Sequence, residues 1–376
     1  MPALESLEIP LSTPETQEPR DDDFVDLQLT SERFPRLQSL TTALTVAPQD
    51  IQVYARLRKL SLSDCPCNFS FSHFLEALAA ATSLESLELV TVLQRIQGEW
   101  VGSAITSKNP LSLQHLKVLE LVAHPPIYTS RFLSHVLLSP SAIVWINGDL
   151  GGVAEPDIAE TISAMLPPNP ANILPALALV PDAIIRAYGA EYSLSCSIEP
   201  RIEDSPLISL LIGSSAIPFW SGSSSHHAAR DLLSVLTCAP LTKLNFQADC
   251  SDIAPETWAE IFSKYPLLEN LELGIAGLGT TETAFAGLMN AAAAPNSLVP
   301  CPRLRTVGIM GQFSEDALDT TLRCLRDRAA KGHQLETITM DLWGAEVGRE
   351  DVRLKTTYVP QLQELVKDRC TCECGE

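Results

Sequence analysis

The chain has 376 residues, 45% of them hydrophobic and only 19% charged, a balance too apolar for a disordered protein. Its formal net charge of −20 repels phosphate backbones, and no Lys/Arg stripe overrides it locally, so nucleic acid is not an expected partner. No stretch reaches the roughly 18 uninterrupted apolar residues of a membrane span, and residues 1–26 lack a basic region followed by an apolar run. The expectation is therefore no membrane partner, an intracellular setting (cytoplasmic or nuclear), and cysteines held mostly as thiols.

A recurring phrase places apolar residues at positions one, four and six. It begins with Leu4, Leu7 and Ile9 and returns at Leu57, Leu60 and Leu62, at Leu84, Leu87 and Leu89, and at Leu116, Leu119 and Leu121. Further copies are Leu174, Leu177 and Leu179; Leu207, Leu210 and Ile212; Leu241, Leu244 and Phe246; and Leu268, Leu271 and Leu273. The series closes with Leu304, Val307 and Ile309, with Leu335, Ile338 and Met340, and with a weaker copy at Leu362 and Leu365. The double gap between Leu116 and Leu174 places a degenerate copy near Ile143 and Ile146. In the first 56 residues, Phe24, Leu27 and Leu29 compete with Leu37 and Leu40, which lie too close for both to be regular repeats.

Periods of about 27 to 36 residues are those of an irregular leucine-rich repeat, one short strand plus one returning helix or loop per unit. Residues four and six point the same way from a strand because its side-chain period is two, so both enter the core and the residue between them faces outward. Helical stripes fall between the phrases, at Phe71, Phe74, Leu75 and Leu78, at Phe132, Leu133, Val136 and Leu137, and at Trp258, Ile261, Phe262 and Tyr265. Ser314 is placed to cap a helix through Leu318, Leu322 and Leu325, and Gly332 to end it. The fold class is thus α/β: a leucine-rich-repeat solenoid over residues 1–366, with a curved parallel sheet on one face and helices on the other.

Residues 181–227 interrupt the pattern. Two strand-like runs, 184–188 and 192–198, flank Gly189, and a Ser/Gly/His loop through 221–227 leads into a helix over 231–236. Residues 367–376 form a Cys-containing tail.

Candidate chemistry is sparse. Residues 277–282 have a Gly-rich loop in dinucleotide context, but Glu282 stands where a pyrophosphate would be repelled. Cys370, Cys372 and Cys374 are too closely spaced for a four-ligand zinc site and read as a frayed tail. Cys65 sits three residues after Leu62, where leucine-rich repeats place Asn or Cys to satisfy turn backbone groups, and reads as structural. His226 and His227 belong to neither a nucleophile elbow nor a zinc helix motif, and the acidic run at Asp21 lacks the Gly and Glu of a calcium loop. No catalytic, cofactor or metal residue is therefore expected, and the chain is not read as an enzyme. An enzyme site built on the 181–227 insertion is the less favoured alternative, beside a stand-alone regulator that binds and blocks one partner.

The phrases at Phe34, Pro35, Arg36 and Leu37, at 265–271 (Tyr-Pro-Leu-Leu-Glu-Asn-Leu) and at 301–305 (Cys-Pro-Arg-Leu-Arg) resemble the leucine-rich-repeat region of F-box-type proteins abundant in mushroom-forming (basidiomycete) fungi. The resemblance implies a protein-binding scaffold that selects substrates for a ubiquitin ligase, its F-box docking on a cullin-ligase adaptor. That helical module is not seen here: a repeat phrase already begins at Pro2 without a cap, which points to a missing amino-terminal segment or a lost docking half. The adaptor is an expected partner only if an F-box lies upstream.

What remains is a surface. The outward positions are Glu8, Ser61, Glu88, Glu120, Ala178, Leu211, Asn245, Glu272, Gly308 and Thr339, joined by Lys59, Ser86, Val118, Ser209, Lys243 and Asn270 one step earlier. Glu88 and Glu120 should lie side by side on adjacent strands. With Val118, Leu211, Asn245 and Glu272 they make the expected site for a protein partner on the concave sheet, one that is basic and partly hydrophobic.

Overall fold

A computed structural model describes residues 4–9, 24–97, 110–150, 161–188, 191–198, 206–213, 224–274, 281–293, 299–311, 314–342 and 349–374. The chain divides into two compact units: Met1–Leu177 with Pro206–Ala216, and Ala178–Ser205 with Ile217–Glu376. Both are mixed α/β and built on mostly parallel strands.

In chain order the first unit contains β1 (Ser6–Ile9), β2 (Ser39–Ala43), α1 (Ile51–Tyr54), β3 (Lys59–Ser63), β4 (Cys67–Ser70), α2 (Phe71–Ala80), β5 (Ser86–Val90) and β6 (Ile96–Gln97). It continues through β7 (Leu111–Leu113), β8 (Val118–His124), α3 (Pro126–Leu133), β9 (Val136–Leu138) and β10 (Ile143–Asp149). The second unit opens with β11 (Asp182–Tyr188) and β12 (Glu191–Ser197), after which β13 (Ile208–Gly213) returns to the first. Then follow α4 (Ser224–Val235), β14 (Lys243–Ala248), α5 (Pro255–Lys264), β15 (Asn270–Gly274), α6 (Glu282–Ala293), β16 (Thr306–Gly311), α7 (Glu315–Ala330), β17 (Leu335–Leu342), α8 (Arg349–Glu364) and β18 (Val366–Cys374).

In the first unit the main strands run β1-β2-β3-β5-β8-β10-β13, every adjacent pair parallel. Their register stacks the phrase on itself, Leu40 on Leu60 on Leu87 on Leu119, and Leu62 on Leu89 on Leu121. All of these leucines are buried. The second unit orders its strands β12-β11-β14-β15-β16-β17-β18, where only β11 and β12 are antiparallel. There Leu244, Leu271, Val307 and Ile338 align across four strands, and they too are buried.

The first leucine of the phrase has its own task. The amide of Leu57 donates to Tyr54, Leu84 to Ala81, Leu116 to Leu113, Leu268 to Tyr265 and Leu304 to Cys301, each closing a turn three residues back. Immediately afterwards two consecutive amides converge on one carbonyl of the preceding repeat: Arg58 and Lys59 on Gln38, Glu85 and Ser86 on Arg58, Lys117 and Val118 on Glu85. The second unit repeats this with Glu269 and Asn270 on Thr242, and with Arg305 and Thr306 on Glu269. Turn and strand are thus one hydrogen-bonded assembly, and the apolar residue that closes the turn also fills the core.

At the far ends of the strands, Leu44, Asp64, Thr91 and Ala123 adopt left-handed φ values of 52 to 56° although none is glycine. Such a conformation costs on the order of 1 kcal/mol for an ordinary residue. The cost is offset where the amides of Leu44, Asp64 and Thr91 reach the carbonyls of Ser63, Val90 and Val122 on the neighbouring strand.

The connections differ between the units. In the second, α4 to α8 return the chain; the α5 core is Trp258, packed between Phe246 and Phe262 at centroid distances of 5.0 and 5.7 Å. Ser314 Oγ accepts from the Ala317 amide, and Gly332 at φ +81° follows the end of α7, as its sequence predicts. In the first unit several connections are instead the two-stranded pairs β4–β6 and β7–β9 and 3-10 turns.

Four expectations are corrected. The stripe through Val136 and Leu137 is not helical beyond Leu133, because Val136 and Leu138 enter β9 as buried, alternating strand residues. Leu174, Leu177 and Leu179 lie in or beside the 3-10 turn Pro175–Leu179, so that copy forms no strand and Ala178 is not a sheet position. The loop expected at His226 and His227 is helical, since α4 starts at Ser224. The tail from 367 is not frayed: β18 continues to Cys374, and the half-buried Cys370 and Cys372 stand opposite the core residues Ile338 and Met340 of the preceding strand. By compactness the chain forms two units, and the second includes that last strand. The ambiguity near the start resolves in favour of Leu37 and Leu40, both buried, with Leu40 in β2 and Leu37 just before it, while Val25 makes only an isolated bridge to Thr45.

Candidate protein-binding surface

Outward residues of the first unit form rows across the strands. The central row reads Glu8, Thr41, Ser61, Glu88, Glu120, Trp145 and Ser209, each the register partner of the next. Glu88 and Glu120 are directly opposite, as their sequence positions require, about 4.8 Å apart between neighbouring strands. Burial first, and the Glu88 charge second, push the Glu120 carboxyl above its usual range, while Lys59 pulls the other way. Lys117 gives no such relief, for its ammonium is 2.5 Å from Glu85 Oε2 on another row.

The register moves one expected residue and adds another. Leu211 is outward but stands opposite Asn147, which in turn faces Val122, one row beyond the glutamates; the residue level with Glu120 is Ser209. The phrase at Leu207 is therefore offset by two residues, because Ile208 rather than Leu210 aligns with Val144 and Leu119. Trp145, on the degenerate copy, fills the place beside Glu120 and is 44% exposed. Val118, from the expected set, lies in the row below, opposite Ser86 and Ile143.

In the second unit the corresponding row is Ser195, Ile184, Asn245, Glu272, Gly308, Thr339 and Thr371. Asn245 Nδ2 donates to Glu272 Oε2 at 2.6 Å, so this carboxylate has a partner that Glu88 and Glu120 do not supply to each other. Gly308 leaves the other side of Glu272 open: a Cβ there would stand 3.2 Å from Glu272 Cγ. Below, Lys243 pairs with Asp182 at 3.4 Å; above, Arg186 Nε donates to Gln247 at 3.2 Å.

The remaining candidates are structural. Cys65 is fully buried, its sulfur 3.5 Å from the Thr42 carbonyl and 3.4 Å from that of Ser63, in line with the turn-satisfying role read from the sequence. Burial raises its thiol, and it pushes Cys196, Cys301 and Cys324 up to about 12, so these sulfurs stay protonated at neutral pH. His124 plays a similar part, its Nε2 2.9 Å from the Leu89 carbonyl; burial depresses it to about 4. His226 and His227 face each other edge-on at 6.3 Å on α4. Among the described residues no group of three His, Cys, Asp or Glu could hold a metal ion, and no helix is long and apolar enough to cross a membrane. Asp21 and residues 277–280 lie outside the described residues.

Neither the protein-family models nor the curated proteins contain a match to this chain.

What the surface can do chemically follows from its composition alone. In the first unit it offers two facing carboxylates, offset only in part by Lys59, beside an exposed indole, on strands whose other face is locked into the core. Rigid elements of this kind position side chains better than loops do.

Proposed function

We propose that the chain is a leucine-rich-repeat scaffold of the solenoid kind, which holds another protein on the open face of its strands. One observation carries the reading: core residues align strand on strand although the intervening segments differ in length, and strand alternation sets the residues between them in rows on the opposite face, where Trp145 is 44% exposed. Repeat proteins bind partners through such rows, each repeat contributing a few positions. The exposed Trp145 supports the reading, since Trp is enriched among residues that dominate binding energy. By its resemblance to F-box-type repeat regions, the bound protein is a ubiquitin-ligase substrate and the setting intracellular.

The test starts from a partner found by proximity labelling and purified. Hydrogen exchange of the complex should show protection along β3, β5, β8 and β10 or along β14 to β16. Protection confined to α2, α5 and α7 would refute a binding role for the open face. For the ligase role, the purified cullin-ligase adaptor should bind the natural full-length protein; loss of the bound partner's ubiquitylation on deleting the gene is the expected cellular result, and unchanged ubiquitylation argues against it.

A further inference from the structure

We infer that the open face of the first unit carries an arginine-accepting hot spot centred on Trp145, and that its occupant is an extended, basic and partly apolar segment of the partner protein. This rests on the scaffold reading above and names the chemistry of its ligand.

The argument begins with Trp145, a large apolar side chain left 44% exposed in the middle of a sheet face. Its own strand places Ile143 one step before it and Asn147 one step after on the same face. Across the neighbouring strands, Val118 stands opposite Ile143, Val122 opposite Asn147, and Leu211 beyond Asn147. These flanking residues are half-buried, so the indole is the raised centre of an apolar patch. An aromatic centre with less exposed surroundings that exclude water is the usual anatomy of a binding hot spot.

One side of the patch is acidic. Glu120 is the register partner of Trp145, and Glu88 is the next along the row. Two like charges directly opposite destabilise the free protein, and Lys59, on the strand beside Glu88, offsets the pair only in part, since burial and Glu88 together still raise the Glu120 carboxyl. Lys117 and Arg58 are both held by Glu85. A ligand cation is therefore the group that can relieve what Lys59 leaves. Among cations, a guanidinium suits this row best: its plane can stack on the indole while its fork of N–H donors meets carboxylate oxygens, whereas an ammonium can serve only one of these at full strength. A chain-wide charge of −20 steers a basic segment in and an acidic one away.

The experiment titrates three tripeptides, acetyl-Leu-Arg-Leu-amide and its Lys and Glu counterparts, into the full chain carrying 15N-labelled tryptophan. The Trp145 indole N–H signal, one of five in the chain, is identified by its disappearance in Trp145→Phe. The arginine peptide should shift that signal saturably, the lysine peptide should bind at least about threefold more weakly, and the glutamate peptide should leave it in place. Replacing both carboxylates, Glu88→Gln with Glu120→Gln, should weaken the arginine peptide about tenfold. The other four indole signals should keep their positions, which separates loss of charge from loss of fold. Equal response to all three peptides, no response at Trp145, or unchanged affinity in the double variant would each overturn the hot spot. If a partner protects only the strands of the second unit, the scaffold reading stands and this inference falls. If it protects only helices, the scaffold reading falls while the peptide titration still decides the inference by itself.

Discussion

Gly287 lies where α6 packs against α5, and an alanine there tests how close these helices come. An added Cβ would stand 2.3 Å from Trp258 Cβ, 2.7 Å from the Pro255 carbonyl oxygen and 3.1 Å from the Ala259 amide nitrogen. None of these atoms can swing aside, because one is the root of a fully buried indole and two are backbone. Relief requires the helices to part by roughly 1 Å, which loosens Trp258, Phe285 and Leu288 together; forced overpacking of this kind costs about 1 to 3 kcal/mol, and a clash with backbone belongs at the upper end. Alanine recovers about 1 kcal/mol through its better helix propensity. The net expectation is a destabilisation of about 2 kcal/mol, which lowers the melting temperature of a unit of this size by roughly 4 to 8 °C. Thermal unfolding followed by circular dichroism measures it, with Asn290→Ala as the control, because Asn290 is exposed on the same helix and should be neutral or slightly stabilising. A Gly287→Ala protein as stable as the wild type would show that α5 and α6 do not approach this closely.

His124 makes stability pH-dependent. Its folded-state value of about 4 lies below the ordinary 6.5, so protonation favours the unfolded chain, and stability is lost as pH falls from about 6.5 to 4, by roughly 3 kcal/mol in full. Urea midpoints at pH 7 and pH 4.5 should differ less in His124→Gln than in the wild type, and equal pH dependence would count against a buried neutral ring. Leu60→Ala, Leu87→Ala and Leu119→Ala should each cost about 2 to 5 kcal/mol by denaturant titration, since all three are fully buried in one stack. Cys370→Val should fold at least as well as the wild type while Cys370→Asp should destabilise, because this position faces Ile338 in the core row; the reverse order of melting temperatures would return 367–376 to the status of a tail.

Much of this fold was legible because leucine at positions one, four and six has separate physical duties, closing a turn and filling two core layers. The degenerate strand near Ile143 could be placed from spacing alone, yet its outward residue Trp145 could not be singled out, since the phrase there lacks leucine and the alternation is visible only once its register with Glu120 is known. Leu211 was misplaced by one row because Ile208 and Leu210 are equally suited to the core, and only pairing with Val144 decides between them. The Cys-Thr-Cys-Glu-Cys run does carry a period of two, the mark of a strand, but thiols so closely spaced invite a metal reading that hides it. The Glu88 and Glu120 pair was accessible from sequence because both follow the second leucine of consecutive, well-formed phrases.

The convergence of two neighbouring amides on a single carbonyl has a bearing on how such a chain can change over time. Most repeats present the same plug to the one before and the same socket to the one after, as with Arg58, whose amide reaches Gln38 and whose carbonyl receives Glu85 and Ser86. Residues between one plug and the next take no part in that joint. A segment can then lengthen, shorten or trade a helix for a small β pair, and the outward residues keep their rows in place. Variation in the connecting segments and variation at the outward positions become independent, so selection can alter a single outward residue without renegotiating the core beneath it.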